Sequence, residues 1–506
     1  MGMTRDIATV EGTERFASQF PNHQYRQLGR TGLYCSELGF GSYRVDQETP
    51  THQTAFEQAL RSGVNLIDTS TNYMDGESER MIGDRLHDAF DSRVIQRDEV
   101  ILVSKAGYIQ GSLHEQCLAD PAGPKYEDIR QFHHGLAYCL DPEFINDQIE
   151  QSLDRLLVDS LDVFLLHNPE YYLMHLIDQE KENPQIALAS YYQVLRQAFE
   201  TCESAVKKGW IQCYGVSSNT LPSPVNDPYR QSLETMEQLA ESISDSHHFS
   251  VIQFPFNIYE SGAAFYPHTE DGRSLLDYAE SLNKGVLINR PLNAMTQGHM
   301  FRLAERQIAE PDTQDLDMDL LDSLEQSLSE KLGESLSGPS DWVEEFHETA
   351  LSFSKYLNQA NVSFDDWEYW IESQFIPRVQ IGLEILSAQG GSSTLVQGYQ
   401  DYVYQVKQYV QMMVYERYQD KKMKIHGLKS EIAKHIIPGS EALSLSQQAL
   451  RAYRSIPSVS CILLGMRHPL YVDEAAIELE SPRPAPSIAQ NWIDLDVALL
   501  SQVAKE

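Results

Sequence analysis

Four side chains capable of acid-base chemistry stand at or just beyond the ends of three consecutive apolar runs. Asp68 closes NLID, Lys105 closes ILVSK and His167 closes FLLH, while Tyr73 lies five residues beyond Asp68. Polar groups that end buried strands are costly to desolvate unless they are paired. An ammonium beside a phenol stabilises the phenolate and lowers its pKa, and a carboxylate can hold that ammonium in place. The set therefore predicts a proton relay through Tyr73, with His167 donating or accepting a hydrogen bond at a substrate oxygen.

Eight short apolar runs separated by amphipathic stretches give the chain the rhythm of β/α units. In order they are SELGFGSY, VNLIDTS, EVILVSK, LDVFLLHN, IQCYGVSS, FSVIQFPFN, KGVLINRP and, only at 458–466, SVSCILLGM. We predict an α/β fold, a (β/α)8 TIM barrel, with an N-terminal hairpin in YRQLGRTGLYCSEL. Such barrels place their active sites at the carboxyl ends of the strands, where the four side chains fall.

The delay of the eighth strand predicts a large helical insertion after strand seven. Residues 301–439 lose the β/α rhythm and show helix-period patterns, for example SDWVEEFHETALSFSKYLNQA and YQDYVYQVKQYVQMMVYERYQD. The predicted organisation is a tail over 1–24, a barrel over 25–300 and 440–485, the insertion over 301–439 and a second tail over 486–506. We expect the insertion to narrow the active-site mouth or to build a homo-oligomer interface. A self-contained bundle without either role is the alternative.

The charge balance argues against polyanionic partners. The chain has 39 basic and 74 acidic residues, a formal net charge of −35 at pH 7, which repels nucleic acid and anionic lipid at long range. The six cysteines form no CxxC pair, and the adjacent His133 and His134 have no acidic or thiol partner at ligand spacing, so no metal site is predicted. With no signal-peptide pattern and no run of eighteen apolar residues, we expect a cytoplasmic protein without nucleic-acid or membrane partners.

These motifs resemble those of the aldo-keto reductase superfamily over about residues 25–300 and 440–480. Besides the four side chains, LGFGSYR resembles the family's first strand, DGESER the turn after its tyrosine, and SLDRLLVDSLDVFLLHNPE its run into the histidine. The resemblance implies that Tyr73 is the general acid in carbonyl reduction, tuned by Lys105 and Asp68, and that His167 orients the substrate. It also implies that NADPH or NADH supplies the hydride.

The same resemblance implies which residues hold the cofactor. Gln253 and the polar end of GVSSN would hold the nicotinamide carboxamide, through either Ser217 with Ser218 or Ser218 with Asn219, and we prefer the second pair. Arg467 is expected to pair either with a 2′-phosphate, which favours NADP(H), or with a carboxylate in a surface ion pair, and NAD(H) is the alternative cofactor. The full predicted set is Ser42, Ser218, Asn219, Gln253, Arg290, Gly465, Arg467 and Tyr471.

Two departures from the family pattern concern the cofactor. Asn289 stands in strand seven where the family usually stacks an aromatic residue on the nicotinamide, and Ala475 stands where an adenosine-binding Asn is usual. The first hypothesis is an active oxidoreductase that reduces an aldehyde or ketone, or oxidises an alcohol or sugar. The alternative, favoured by the departure at Asn289 and by the insertion, is a regulatory or scaffold protein that binds the cofactor without turning it over.

Overall fold

A computed structural model describes residues 7–118, 125–296, 299–305, 318–335, 375–388 and 393–503, together with 308, 310, 351, 353, 370 and 371. The chain forms two compact units, residues 1–294 with 431–506, and residues 295–430. Apart from positions 351 and 353, the predicted helical segment at 340–360 lies outside the described residues. No described helix is both long enough and apolar enough to cross a membrane.

Eight parallel strands close into a barrel, which confirms the predicted fold. They follow one another around the barrel in chain order, and the last pairs with the first. Parallel strands bring their carboxyl ends to one rim, so the polar ends of the apolar runs meet there. The strand bounds are Leu38–Gly41, Leu66–Asp68, Ile101–Ala106, Leu161–His167, Ile211–Ser217, Phe249–Pro255, Gly285–Asn289 and Cys461–Leu464.

Amphipathic helices connect the strands, and their ends follow from the sequence. Asp141 and Asn183 each accept a backbone N–H two residues ahead, at 2.8 and 3.0 Å, and each precedes a proline at the first helical position. Gly209 ends one helix with a φ of 83°, a conformation that favours glycine. The helices are Pro50–Arg61, Glu77–Asp91, Pro142–Leu156, Glu170–Met174, Pro184–Lys208, Leu233–Ile243, Leu275–Ser281, Leu445–Arg454 and Pro469–Glu480.

The predicted hairpin lies before the first barrel strand, where Tyr25–Gln27 pairs antiparallel with Tyr34–Ser36. Side chains of the hairpin, including Leu28 and Leu33, share one buried cluster with side chains of the barrel strands. At Gly29, with a φ of 50°, a Cβ would lie 2.2 Å from the backbone nitrogen of Gly285, so glycine permits this close contact.

The two segments predicted as tails each contain a helix, Val10–Gln19 and Ala489–Val503. Both helices bury an aromatic side chain, Phe16 in the first and Trp492 in the second. The Trp492 ring contacts Phe256 at a centroid distance of 5.0 Å, in the unit that contains the barrel. The apolar face of each helix therefore packs on the folded unit.

The expansion after the third barrel strand forms a small antiparallel sheet. Its strands are Tyr108–Gln110, Arg130–His133 and Leu136–Tyr138, and Leu136–Tyr138 lies between the other two. A helix, Gly111–Leu118, follows the first of these strands. Because it leaves the barrel at the carboxyl end of a strand, it stands on the rim that carries the predicted site. Its first strand brings the Tyr108 ring to 5.0 Å from the His167 ring.

The unit formed by residues 295–430 is mainly helical in its described part. Its helices are Met318–Ser335, Ile376–Ala388 and most of the 43-residue Ser393–His435, and a short strand pair, Asn293–Thr296 with His299–Arg302, precedes them. Buried side chains of these elements form a core of their own, which includes Leu321, Leu328, Leu386, Tyr399 and Tyr402. The sequence predicts the insertion over 301–439, and the compact unit in the structure spans 295–430.

Candidate active site

The barrel brings the four predicted side chains to one rim. Asp68 and His167 are the last residues of the second and fourth strands, and Lys105 is the last but one of the third. The register aligns Lys105 with Leu165, two residues before His167. Tyr73 begins the 3-10 turn Tyr73–Gly76, which returns the chain towards the next helix.

The site contains a buried ion pair between Lys105 and Asp68. Lys105 Nζ donates to Asp68 Oδ2 at 2.7 Å and to the Thr69 carbonyl at 2.6 Å, and both charged side chains are buried. The same ammonium lies 4.9 Å from the centroid of the Tyr73 ring. An ammonium has three N–H donors, and two are used here, so the third is left for the phenol side of the site.

Burial controls the protonation of these groups. It raises the pKa of Asp68 and lowers the pKa of Lys105, and the attraction between the two opposes both shifts. Burial, reinforced by the Asp68 charge and by Tyr43, raises the pKa of Tyr73 well above its ordinary value. The net shift of the Tyr73 pKa is therefore upward, opposite to the lowering predicted from Lys105, because burial is the largest influence on the phenol. Asp68 already neutralises the ammonium, and the phenol stays protonated near neutral pH.

His167 is fixed through its ring nitrogen Nδ1. Ser70 Oγ lies 3.0 Å from this atom, and the rings of Tyr73 and Tyr108 contact the imidazole edge-on at centroid distances of 5.9 and 5.0 Å. Burial, reinforced by the Lys105 charge, holds the pKa of His167 well below its ordinary value. The imidazole is therefore neutral near pH 7.

A chain of amides and hydroxyls continues from the ion pair across three further strands. Gln253 Nε2 donates to Asp68 Oδ1 at 2.7 Å, and Gln253 Oε1 accepts from Ser217 Oγ and from Asn289 Nδ2, each at 3.1 Å. The Asn289 Oδ1 atom is buried and has no hydrogen-bond partner in the part of the chain that the structure describes. Asn289 Oδ1 is therefore a hydrogen-bond acceptor, beside Gln253, that no described residue uses.

Three of the residues predicted to bind the cofactor, Ser42, Ser218 and Asn219, lie near the rim and form hydrogen bonds within the protein. Ser42 Oγ donates to the Asp68 carbonyl at 2.9 Å and accepts from Ser78 Oγ at 2.7 Å, so it ties the first strand to the second. Ser218 Oγ accepts the backbone N–H groups of Thr220 and Leu221, while the Asn219 side chain is exposed. The Ser217 side chain donates to the Gln253 side chain, whereas Ser218 contacts Gln253 through its backbone N–H, which donates to the Gln253 carbonyl at 2.9 Å.

The remaining predicted residues lie around the seventh and eighth strands. Arg290, at a φ of 51°, pairs with Glu260 at 2.6 Å. Gly465 and Arg467 follow the eighth strand, next to the amino end of the helix Pro469–Glu480, and Gly465 is exposed. Arg467 is half-buried and forms no ion pair with any residue of the described ranges.

Tyr471, in the first turn of Pro469–Glu480, is 44% exposed, with its ring 5.8 Å from that of His468. Its exposed face is free to take a planar group.

Two site residues were not among the predictions. Ser70, between Asp68 and Tyr73, contacts His167. Glu170, three residues beyond His167, is fully buried and accepts the Asn219 backbone N–H at 2.8 Å, and burial raises its pKa to about 7. Both stand beside predicted site residues, but the local sequence does not distinguish Ser70 from a loop serine or Glu170 from a glutamate at the start of a helix.

The sequence of the chain is similar to those of known proteins. The model of the Aldo/keto reductase family matches residues 37–361. The aldo-keto reductase YhdN of Bacillus subtilis is 21% identical over 286 residues, 55% of this chain and 66% of that protein. The NADH-specific methylglyoxal reductase of Escherichia coli is 28% identical over 151 residues, 28% of this chain and 40% of that protein.

A solved structure, aldo-keto reductase AKR11C1 from Bacillus halodurans in its holo form, aligns over 94% of this chain and 96% of its own, with 14% identity and a TM-score of 0.43. The chain spans about half the length of the curated relatives it matches.

Proposed function

The chain belongs to the aldo/keto reductase family, and we propose that it is an NAD(P)H-dependent oxidoreductase that reduces an aldehyde or ketone to an alcohol, or runs in reverse on an alcohol or sugar. One observation carries the proposal: Asp68, Lys105, Tyr73 and His167 converge at one rim of the barrel, with Lys105 4.9 Å from the Tyr73 ring. Small carbonyl compounds or sugars are the proposed substrates.

The chain's own residues supply the proton. Tyr73, protonated near neutral pH because burial raises its pKa, gives its hydroxyl hydrogen to the oxygen of the carbonyl. The remaining N–H of Lys105 then stabilises the phenolate, and Asp68 holds the ammonium in place. A nicotinamide cofactor, when bound, supplies the hydride.

We propose that the nicotinamide carboxamide of the cofactor binds beside Ser217, Gln253 and Asn289, on strands five to seven of the barrel. A carboxamide needs both donors and acceptors, and the buried Asn289 Oδ1 is an acceptor without a partner in the described residues. Gln253 and Ser217 lie beside it. We propose that Asn289 replaces the usual aromatic stacking by a hydrogen bond from the carboxamide.

We propose that the adenosine half of the cofactor binds at the segment after the eighth barrel strand. Arg467 offers a guanidinium next to a helix amino end, a combination that binds phosphate groups. Gly465 leaves open space beside it, and the exposed Tyr471 ring can cover the adenine. We therefore propose NADP(H) as the cofactor, although one relative is named an NADH-specific enzyme.

Replacing Arg467 by glutamine is expected to weaken NADPH binding by about 1–3 kcal/mol, the value of one charge-assisted contact, and to leave NADH binding nearly unchanged. Titration of the protein with NADPH and with NADH, monitored by the fluorescence of the cofactor, measures both affinities. Asn289→Ala is the matched comparison, because it removes a contact to the shared nicotinamide end and should weaken both cofactors alike. Equal losses for both cofactors with Arg467→Gln would refute the phosphate assignment.

The proposed activity is tested by the loss of NADPH absorbance with a panel of small aldehydes, ketones and aldoses. Turnover supports the oxidoreductase, and the complete set of four catalytic side chains favours this outcome. Tight cofactor binding without turnover of any member would instead support the regulatory or scaffold protein. Residues 301–439 remain a proposed homo-oligomer interface, for which sedimentation of the purified full chain is the direct measurement.

A further inference from the structure

Glu170 is a buried carboxyl group without a cationic partner. Its side chain is fully buried and forms no ion pair with any residue that the structure describes. Every other buried carboxyl group in the described part of the chain pairs with an Arg, Lys or His side chain. A carboxylate that no neighbouring cation neutralises acts strongly on a charge that binds nearby, because little water screens it.

The hydrogen bonds of this carboxyl group place it beside the end of the fifth barrel strand. Glu170 Oε1 accepts the Asn219 backbone N–H at 2.8 Å, and the Ser218 side chain forms a further hydrogen bond to the carboxyl group. Asn219 is two residues beyond Ser217, which donates to Gln253. Glu170 therefore adjoins the segment at which we propose that the nicotinamide carboxamide binds.

The surroundings accommodate both protonation states of Glu170. The Gln231 side-chain nitrogen lies 3.3 Å from Glu170 Oε2, and the Gln231 side-chain oxygen is buried without a hydrogen-bond partner among the described residues. By turning, this amide can donate to a carboxylate or accept from a carboxylic acid. Burial raises the pKa of Glu170 to about 7, so both states are populated near neutral pH.

The other titratable groups around Glu170 each keep one charge state near neutral pH. Burial raises the pKa of the phenols within electrostatic reach of Glu170, which come from the small antiparallel sheet and from the helix Pro184–Lys208: Tyr108, Tyr138 and Tyr191. His167, at the end of the preceding strand, is neutral because burial lowers its pKa. Arg230, next to Gln231 in the sequence, stays cationic and donates to the His268 carbonyl at 2.6 Å.

We infer that Glu170 is a specificity-determining residue that sets how strongly this site prefers the oxidised over the reduced form of the nicotinamide cofactor. The nicotinamide ring is positively charged when oxidised and neutral when reduced, so the ionised carboxylate attracts the oxidised form alone. Asp68 also lies at this rim, but Lys105 neutralises it at 2.7 Å. The inference rests on the proposed oxidoreductase function.

The charge of Glu170 changes the proton balance of the reaction. In carbonyl reduction a hydride passes from the reduced cofactor to the carbonyl carbon, the Tyr73 hydroxyl hydrogen passes to the carbonyl oxygen, and solvent returns a proton to Tyr73. The reaction in solution therefore consumes one proton and becomes less favourable as the pH rises. In this site the new positive charge on the ring favours loss of the Glu170 proton to solvent, so the net proton uptake near pH 7 is below one. Reduction on the enzyme is then less sensitive to pH than reduction in solution.

NADP+ and NADPH form a matched pair for the binding test. They differ in the charge of the ring and share the 2′-phosphate, whose titration cancels in the ratio of their Kd values. We expect the ionised carboxylate to bind NADP+ about tenfold more tightly than the protonated acid does. The ratio of Kd for NADP+ to Kd for NADPH should then fall about fivefold between pH 6 and pH 8. Titration of the full chain with each cofactor, monitored by protein fluorescence, measures both constants.

Calorimetry gives a second measurement that is independent of turnover. Near pH 7 the binding of NADP+ should release about 0.4 more protons than the binding of NADPH, because the oxidised ring lowers the pKa of Glu170 in the complex. Titrations in buffers that differ in their enthalpy of ionisation measure this difference.

Variants of Glu170 separate its charge from its shape. In Glu170→Gln, which removes the charge and keeps the size, the ratio should be constant over this pH range and about tenfold above that of wild type near pH 8. Glu170→Asp keeps a carboxyl group and should retain the fall. Glu203→Gln is the matched control, because Glu203 is also buried and accepts a backbone N–H, that of His248 at 2.6 Å, but at the amino end of the sixth strand. It should behave as wild type.

The wild-type titration tests the inference even if a variant fails to fold. A ratio that does not change with pH in wild type, or a fall that persists in Glu170→Gln, overturns the role of Glu170. If a carbonyl of the panel is turned over while the ratio is constant, the proposed oxidoreductase stands and the role of Glu170 alone is lost. The expected fall without turnover of any carbonyl overturns the oxidoreductase and supports the role of Glu170. If neither cofactor binds to wild type, the proposed function and this inference are overturned together.

Discussion

Tyr73→Phe is expected to lower kcat for carbonyl reduction by about 10²–10⁴, the contribution of a positioned general acid, while NADPH affinity stays within about twofold. The substitution removes the transferable hydrogen and keeps the ring over which Lys105 lies. Steady-state kinetics and cofactor titration of the purified variant measure the two quantities separately.

Tyr43→Phe is the matched control for this loss. Its ring contacts Tyr73 edge-on at 5.2 Å, but it is 64% exposed and does not contact the ion pair. The cation over its ring is Arg44, at 5.8 Å, and not Lys105, so Tyr43→Phe leaves the contact between Lys105 and Tyr73 in place and should retain most of the wild-type kcat. If Tyr73→Phe kept more than about a tenth of the activity, a different group would be the acid.

The barrel and the convergence of the four candidate side chains at its rim could be predicted because both follow from local pattern. Apolar runs at a regular spacing determine the strands, and the residue that ends a parallel strand must lie at the common rim. Asp68 and His167 therefore converge without any knowledge of their partners.

The residues that form hydrogen bonds to the predicted site residues could not all be predicted in this way. The GVSSN run contains two serines in succession, and the side-chain period of a strand places only one of them towards the barrel interior. The strand ends at Ser217, which contacts Gln253, while Ser218 caps the following turn. A shift of one residue reverses the assignment, and the sequence has no signal that fixes where the strand ends. Ser70 and Glu170 depend in the same way on contacts between distant segments.

Lys105→Met should both stop turnover and lower the free energy of unfolding by about 3–5 kcal/mol near pH 8, because it leaves Asp68 as a buried charge without its partner. Methionine has a similar volume to lysine, so packing around the side chain is largely kept. Chemical denaturation at several pH values measures the stability.

The pH dependence follows from the direction of the Asp68 pKa. Burial raises this pKa in the folded protein, and the loss of Lys105 removes the attraction that opposes the shift. A carboxyl with a raised folded pKa stabilises the folded state below its unfolded pKa, and this contribution is lost as the pH rises through the folded pKa. The deficit of Lys105→Met relative to wild type should thus be smaller near about pH 5 than near about pH 8.

The double variant Asp68→Asn with Lys105→Met separates stability from chemistry. Asparagine keeps an oxygen that can accept from Gln253 Nε2, as Asp68 Oδ1 does, and carries no charge. The double variant should therefore recover most of the lost stability, show no added pH dependence and remain inactive. If Lys105→Met alone were as stable as wild type at high pH, the buried charge would have found another partner. If the double variant were no more stable than the single one, the loss would come from packing and not from the unpaired carboxylate.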